Sequence, residues 1–253
     1  MAQGPGPAAQ SDLTGMWGRG RGGGGGNANP NVVIVRQEQP GIGSDTKLNV
    51  RDGNMNYLEI DQEFQIKRRD DFPIYKPEHW EQVRYFEEFG YERPADPAFG
   101  CKNPGIVRLG APAEIVQLPN KVILLYGGEH LWVREIPTDG RKLPDEADFE
   151  GLRITGTSVG RWDGNTLVIE SSDFPADFVW YSTRGWFGSP NARITERFTL
   201  TGNSLRLERT IDDPAFQVPW QLDPITLTRN NNPAALLQSP LPCVERDAEH
   251  LPG

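Results

Sequence analysis

Four side chains could hold or move a proton: His130 and Arg134 in GGEHLWVREIPTDGR, residues 127 to 141, and Glu196 and Arg209 in ITERF and LRLERTI. Histidine titrates near neutrality, and a carboxylate beside a guanidinium can accept a proton or bind a substrate hydroxyl. The chemistry such groups suit is acid–base work on a small molecule, by isomerisation, cyclisation, elimination or hydration. Glu196, His130, Arg209 and Arg134 are therefore the candidate catalytic residues. No Gly-rich dinucleotide fingerprint, P-loop, GxSxG elbow or CxxCH motif is present, which disfavours hydride transfer, phosphoryl transfer, serine hydrolysis and c-type haem. With no CxxC or HExxH and with three histidines, His79, His130 and His250, no metal site and no cofactor are expected.

The elements that must position these groups are hairpins, which succeed one another from Ala111 onward. EIVQLPNKVILLY is two apolar strands joined at Pro119-Asn120, and SVGRWDGNTLVIES carries an Asp-Gly turn signal at 163 and 164. In NARITERFTLTGNSLRLERTIDDP a turn at Gly202-Asn203 pairs Thr201 with Ser204, which sets every pair behind it. One face then carries Ile194, Glu196, Phe198 and Leu200 opposite Ile211, Arg209, Leu207 and Leu205. The other carries Arg193, Thr195, Arg197 and Thr199 opposite Asp212, Thr210, Glu208 and Arg206. It is a solvated face, with Arg193–Asp212 and Arg197–Glu208 expected as exposed pairs worth roughly 0 to 1 kcal/mol each. Glu196 and Arg209 interrupt an otherwise apolar face, where desolvation is costly. Two readings are open: a buried ion pair that specifies register, or Glu196 projecting into a ligand pocket and held ionised by Arg209.

As a strand, the stretch around His130 places His130, Trp132, Arg134 and Ile136 on one face and Leu131 and Val133 on the other. A barrel that admits charge at Glu196 and Arg209 favours the histidine, indole and guanidinium as the inner face. Asp139-Gly140-Arg141 is expected to be the turn that ends this strand. Candidate substrate-binding residues are Tyr126, Trp132, Asp139, Asp173 and Phe198, together with Phe178, Trp180, Tyr181 and Trp186 of DFVWYSTRGWFGSP. That aromatic loop is either core or a wall for an apolar ligand.

The chain of 253 residues has a net charge of −9 and 24% charged residues, which argues against nucleic acid and anionic lipid as partners. Its 28 glycines and 22 prolines suit many turns between short strands. The expected fold is mainly β, an antiparallel hairpin-rich barrel of lipocalin or calycin type, with an irregular N-terminal extension carrying one short helix. Residues 1–30, with GRGRGGGGGNANP, are expected to be a flexible glycine-rich segment; two arginines without interleaved aromatics do not make an RGG box. Residues 31–100 are expected to wrap the core, with a helix in KPEHWEQVRYFEEFG running from Pro77 through Trp80 and Val83 towards Gly90. His79 is then a surface or packing residue. The barrel core is placed at 101–246 and a tail at 247–253. No apolar run reaches the roughly 20 residues of a membrane span. The N-terminus lacks a basic n-region and an apolar h-region, and MAQGPGPAAQ has the look of an exported protein after removal of its leader.

Cys101 and Cys243 are either unrelated buried thiols or, in an oxidising compartment, a disulfide worth about 4 to 5 kcal/mol in the chain-entropy model. Residues 95 to 246 resemble a large group of exported bacterial proteins, mostly described only as hypothetical. The resemblance rests on CKNPGIVR at 101–108, PAEIVQLPNKVILLY at 112–126, REIPTDGR at 134–141, SVGRWDGNTLVIES at 158–171, ITERF at 194–198, TIDDP at 210–214, PW at 219–220, and Cys243 with Glu245. It implies a periplasmic or secreted location, a Cys101–Cys243 disulfide, and a lipocalin-like barrel holding one small ligand. Typical members of the group carry histidines where this chain has Leu143, Thr157 and Gly188, so any chemistry of those histidines is lost or replaced here.

Two functions are carried forward, ahead of a third, an envelope interaction protein without a small-molecule site, which only the acidic surface and loop-rich N-terminus support. One is a cofactor-independent enzyme of isomerase, cyclase or lyase type acting on a small hydrophobic or aromatic metabolite. The other is a non-catalytic carrier of a hydrophobic small molecule in the same barrel. The sequence names neither the substrate nor the oligomeric state.

Overall fold

Buried and half-buried positions alternate along KVILLY and through most of RITERFTLT, and at a period of two that alternation makes strands with one face on a core. The computed structural model describes residues 11–19, 32–36, 46–50, 73, 75–79, 81–83, 85, 103–127, 131–143, 155–175, 181 and 186–237. Its strands are β1 (Gly15–Arg19), β2 (Val32–Arg36), β3 (Thr46–Val50), β4 (Glu114–Leu118), β5 (Lys121–Tyr126), β6 (Trp132–Pro137), β7 (Thr157–Asp163), β8 (Thr166–Ser172), β9 (Arg193–Thr201), β10 (Ser204–Asp212), β11 (Trp220–Gln221) and β12 (Ile225–Asn230). A short helix, α1 (Ile106–Leu109), precedes β4, and Pro77–His79 form one 3₁₀ turn.

Nine strands form a nearly closed antiparallel barrel in the order β6-β5-β4-β1-β12-β10-β9-β8-β7, while β11 pairs with β10 beside that path. The fold is the mainly β, hairpin-rich barrel expected from the sequence. β2 and β3 form a separate antiparallel pair. All eight neighbouring pairs in the barrel path are antiparallel, so an odd number of strands leaves β6 and β7 running the same way where the barrel closes. They lie side by side without a ladder between them. Side chains close this seam. Gly160 in β7 leaves room there, because a Cβ at that position would stand 3.0 Å from the Cγ2 atoms of both Ile136 and Thr138.

Two of the tight turns fall where the sequence places them, with Leu118 opposite Lys121 and Thr201 opposite Ser204; the third lies one residue beyond the Asp163-Gly164 signal, at Gly164-Asn165, with Asp163 opposite Thr166. The β9–β10 ladder runs from Thr201–Ser204 to Arg193–Asp212 in the expected register throughout. The exposed ion pairs differ from those expected, since Arg197 reaches Asp163 at 3.2 Å and Glu208 takes Arg206 at 3.0 Å. On a solvated face, long side chains choose among diagonal and same-strand neighbours at little cost.

The largest departure from the sequence reading lies at the N-terminus. Residues 15–19 are a barrel strand between β4 and β12, so this strand comes from within the segment assigned as flexible and the barrel does not begin at 101. Leu13 and Trp17 are buried in the barrel core, and the Trp17 indole donates to the Leu13 carbonyl at 3.0 Å. Gln117 Oε1 accepts from the Leu13 amide at 3.0 Å, and Arg229 donates to the carbonyls of Thr14 and Asp12 while its guanidinium lies 4.5 Å from the Trp17 ring centroid. Five residues flanked by glycine-rich chain form a strand here because two open ladder edges and a hydrophobic interior receive them.

A second apolar cluster, with Tyr75, Val83, Ile106, Phe174, Tyr181, Trp186, Phe216 and Trp220, packs where α1 and the β8–β9 connection meet, away from the tight turns. Residues 81–83 are helical and Val83 is buried in this cluster, within the helix expected after Pro77; Trp80 and Gly90 lie outside the described residues. No helix of the described residues is long and apolar enough to cross a membrane.

Candidate functional site

The inner face of β6 is the one that carries charge. Arg134 and Ile136 are buried and Trp132 is half-buried, while Leu131 and Val133 are 45% and 52% exposed. The strand gives up the burial of a leucine and a valine because its opposite face packs an indole and an isoleucine on the core and brings Arg134 to a counter-charge.

That counter-charge is Glu196, which is fully buried on β9. Arg134 Nη1 donates to Glu196 Oε2 at 2.7 Å and to the Tyr126 hydroxyl at 2.9 Å. Its Nη2 lies 3.3 Å from both Ser158 Oγ and Ser171 Oγ, and these two hydroxyls are 2.8 Å apart. One guanidinium thus ties together β5, β6, β7, β8 and β9 and crosses the seam through Ser158. The sequence reading did not include the two serines, although the turn at Gly164-Asn165 sets Ser158 opposite Ser171 by the same counting that aligned β9 with β10.

Arg209, directly opposite Glu196 in the ladder, sends Nη1 to the carbonyls of Ile106 and Val107 at 3.4 and 3.0 Å. It holds the short helix α1 against the barrel. The ion pair of Glu196 is with Arg134, not with the ladder neighbour Arg209 named by the register. Arg209 Nη1 is engaged by the α1 carbonyls, whereas Arg134 reaches Glu196 across the seam, past Ser158 of β7 and Ser171 of β8.

Three hydrogen-bonding capacities in the cluster are unused among the described residues. Glu196 Oε1 is buried without a partner there, as is Arg134 Nε. The Tyr126 oxygen accepts from Arg134, and its own proton is given to no acceptor among the described residues. Burial pushes the Tyr126 phenol up to about 12, against the pull of Arg134 and with the help of Glu196, so the group remains a donor. Burial alone would lower the Arg134 guanidinium, but the charge of Glu196 and bonds to Glu196 and Tyr126 outweigh it and leave its pKa raised.

The other candidates are distributed as follows. Phe198 is fully buried in the barrel core, and Trp132 packs against that core. Tyr181 and Trp186 belong to the second cluster and pack against Trp220 at ring-centroid distances of 5.7 and 5.9 Å, so these members of the aromatic loop are core. Tyr181 donates to Asp213 Oδ2 at 3.1 Å, and burial followed by the Asp213 charge raises its pKa well above the usual phenol value. Asp213, from TIDDP, was not singled out in the sequence; it is buried and also accepts from the amides of Ser189 and Ala215 at 2.8 Å each. Asp139 is exposed in the turn after β6, where hydrogen bonds from Arg141 lower its pKa to about 2; it is not part of the cluster. Asp173, at φ 58, has a buried Oδ2 without a partner. His130, Phe178, Trp180, Cys101 and Cys243 lie outside the described residues. Among the described residues no group of three or more His, Cys, Asp or Glu side chains could hold a metal ion.

The arrangement can receive one donor at Glu196 Oε1 and give one proton from Tyr126, both fixed by a single nitrogen, inside a fold compatible with a small-molecule pocket. No family model matches the chain, and neither a curated protein nor a solved structure matches it.

Proposed function

We propose that the barrel binds a small, mainly apolar molecule and moves a proton on it without a cofactor, as an isomerase, cyclase or lyase does, with Glu196 as the proton acceptor. The observation that carries this reading is the free oxygen of Glu196. A buried acceptor left without a donor costs about 1–3 kcal/mol, and more when it is charged. A bound molecule that brings an O–H, N–H or acidic C–H to Oε1 offsets that cost. Resemblance to exported bacterial proteins supports a periplasmic or secreted setting, in which Cys101 and Cys243 form a disulfide; an intact mass about 2 Da below that of the reduced chain would establish the bond.

The test compares 2-naphthol with naphthalene, two flat molecules that differ by one hydroxyl, by quenching of tryptophan fluorescence. A hydrogen bond to a charged group is worth about 1.5–3 kcal/mol, so 2-naphthol is expected to bind at least about 10-fold tighter. In Glu196→Gln the amide oxygen takes Arg134 and the NH₂ group occupies the free position, so the preference for 2-naphthol collapses. Equal affinities of the two compounds for the unaltered protein contradict the proposal.

A carrier without chemistry is the second reading. It is favoured by the breadth of the Arg134 network, which engages two hydroxyls, a phenol and a carboxylate as a structural cross-brace does. Co-purification of one unaltered metabolite, found by native mass spectrometry and released unchanged after long incubation, would select it.

A further inference from the structure

The acceptor and the donor of the cluster are both held by the same atom. Arg134 Nη1 lies 2.7 Å from Glu196 Oε2 and 2.9 Å from the Tyr126 oxygen, so one nitrogen holds the carboxylate and the phenol, while Glu196 Oε1 and the Tyr126 proton have no partner among the described residues. Each side chain is almost wholly enclosed by protein, with Tyr126 at 1% and Glu196 at 0% exposure. Neighbouring inward positions are apolar: Leu124 stands opposite Arg134 in the ladder, Ile169 opposite Glu196, and Trp132 opposite Tyr126. A molecule meeting this pair presents an oxygen to Tyr126 and a hydrogen to Glu196 a bond or two away, with hydrocarbon elsewhere.

We infer, resting on the barrel-ligand reading above, that the substrate is a carbonyl compound with a C–H beside its carbonyl group, which Glu196 and Tyr126 interconvert with its enolate. The step balances without a further reactant. The C–H bond breaks and its proton passes to Glu196 Oε1; the electron pair forms a carbon–carbon double bond. The carbonyl π pair moves to oxygen, where the Tyr126 O–H hydrogen-bonds the developing charge. Return of the proton to the same carbon exchanges its hydrogen, and delivery to a conjugated carbon shifts a double bond; nothing is oxidised or reduced. Arg134 is a positioning residue that also opposes the negative charge on the enolate oxygen. A phenol that burial keeps protonated supplies its hydrogen bond across the neutral range, and removal of water strengthens that bond where charge develops.

The full chain is tested with 2-tetralone, an apolar ketone with acidic C–H bonds, in D₂O at neutral pH, reading loss of the proton signal beside the carbonyl by NMR. Exchange is expected at least about 100-fold above the buffer rate. Glu196→Gln returns it to the buffer rate, and Tyr126→Phe lowers it about 100-fold by removing one donor from the enolate oxygen. Naphthalene affinity stays unchanged in both variants, which separates loss of chemistry from loss of the barrel interior. 2-Naphthol, which has the shape of the tetralone enol, inhibits the exchange competitively. Binding of 2-tetralone without exchange, exchange that survives Glu196→Gln, or failure of 2-tetralone to bind while 2-naphthol binds overturns the carbonyl assignment and leaves the barrel-ligand reading standing. If naphthalene and 2-naphthol also fail to bind, the barrel-ligand reading falls with it. Should Glu196→Gln not fold, Tyr126→Phe decides alone, and an unchanged exchange rate in it overturns the assignment.

Discussion

Arg134 and Glu196 meet at 2.7 Å although their strands, β6 and β9, are not neighbours in the sheet. The contact exists because the barrel curls until the two inner faces oppose one another. It places a charge pair at 2% and 0% side-chain exposure in an apolar interior. Desolvation of such a pair offsets much of its attraction, so the pair adds little net stability, while the loss of one partner is severe.

Arg134→Met is therefore expected to destabilise the protein by about 3–5 kcal/mol, because Glu196 is left charged and alone. Arg134→Met combined with Glu196→Leu should lose less than either single change. Urea unfolding of the three variants measures this, and a double variant that loses the sum of the two singles contradicts a cross-barrel ion pair.

Tyr126 makes stability depend on alkaline pH. Its phenol titrates near 10 in the unfolded chain and at about 12 when folded, so the native state holds the proton more tightly. The contribution is fully present below pH 10 and is lost as pH rises through 12. Two pKa units correspond to roughly 2–3 kcal/mol. Between pH 9 and 12 the unaltered protein should lose more stability than Tyr126→Phe, with Tyr181 contributing a similar fall to both; equal slopes count against the assignment.

Gly160→Ala sets a methyl group against Ile136 and Thr138 at the unladdered seam. Overpacking of this kind costs about 1–3 kcal/mol. Faster amide exchange in β6 and β7 than elsewhere in the barrel would accompany the loss. Gly164→Ala, in open space at φ 61, tests backbone conformation alone and should cost about 1 kcal/mol without that local signature.

Gly188→Ala is expected to cost about 2–4 kcal/mol, because its Cβ would fall 2.2 Å from the Tyr181 hydroxyl oxygen and 2.5 Å from Cζ. The displaced phenol gives up Asp213. A histidine at this position cannot coexist with Tyr181 in its present place, so this chain's aromatic packing and a histidine at 188 are alternatives. Thermal unfolding of the alanine variant checks the clash, and an unchanged midpoint argues against it.

Trp17→Ala should destabilise by about 3–5 kcal/mol, and deletion of residues 1–19 should prevent folding. Without β1, the edges of β4 and β12 are open and the places of Leu13 and Trp17 in the core are empty. Circular dichroism of the truncated chain reads the outcome. Retention of the native spectrum and midpoint would mean that β1 is dispensable.

Local signals made much of the barrel legible. Turns at Pro119-Asn120 and Gly202-Asn203 set the registers of two hairpins, and counting back from the second placed Glu196 and Arg209 on the buried face, whereas the Asp163-Gly164 signal marks the third hairpin one residue short of its turn at Gly164-Asn165. The same counting placed Arg134 and Ile136 inside once charge was admitted to the interior. Ser158 stands opposite Ser171 because the turn is at Gly164-Asn165; counted from Asp163-Gly164, Ser158 would face Ile169. Composition misled at the N-terminus, where neighbouring glycines hid a five-residue strand whose stability comes from its neighbours and not from its own sequence.

What the sequence determined alone is the sidedness of each strand, because a two-residue turn and a period of two leave one register that buries the apolar face. Which guanidinium meets Glu196 was decided by the tertiary structure. Arg209 is 13 positions from Glu196 and faces it across a ladder; Arg134 is 62 positions away and reaches it at 2.7 Å. Contact between the side chains of β6 and β9 comes from the curvature and closure of the whole sheet, and β1 between β4 and β12 is part of that closure. Neither is a property of any segment alone. The free oxygen of Glu196 and the free proton of Tyr126 exist only in the closed barrel, where water no longer satisfies them.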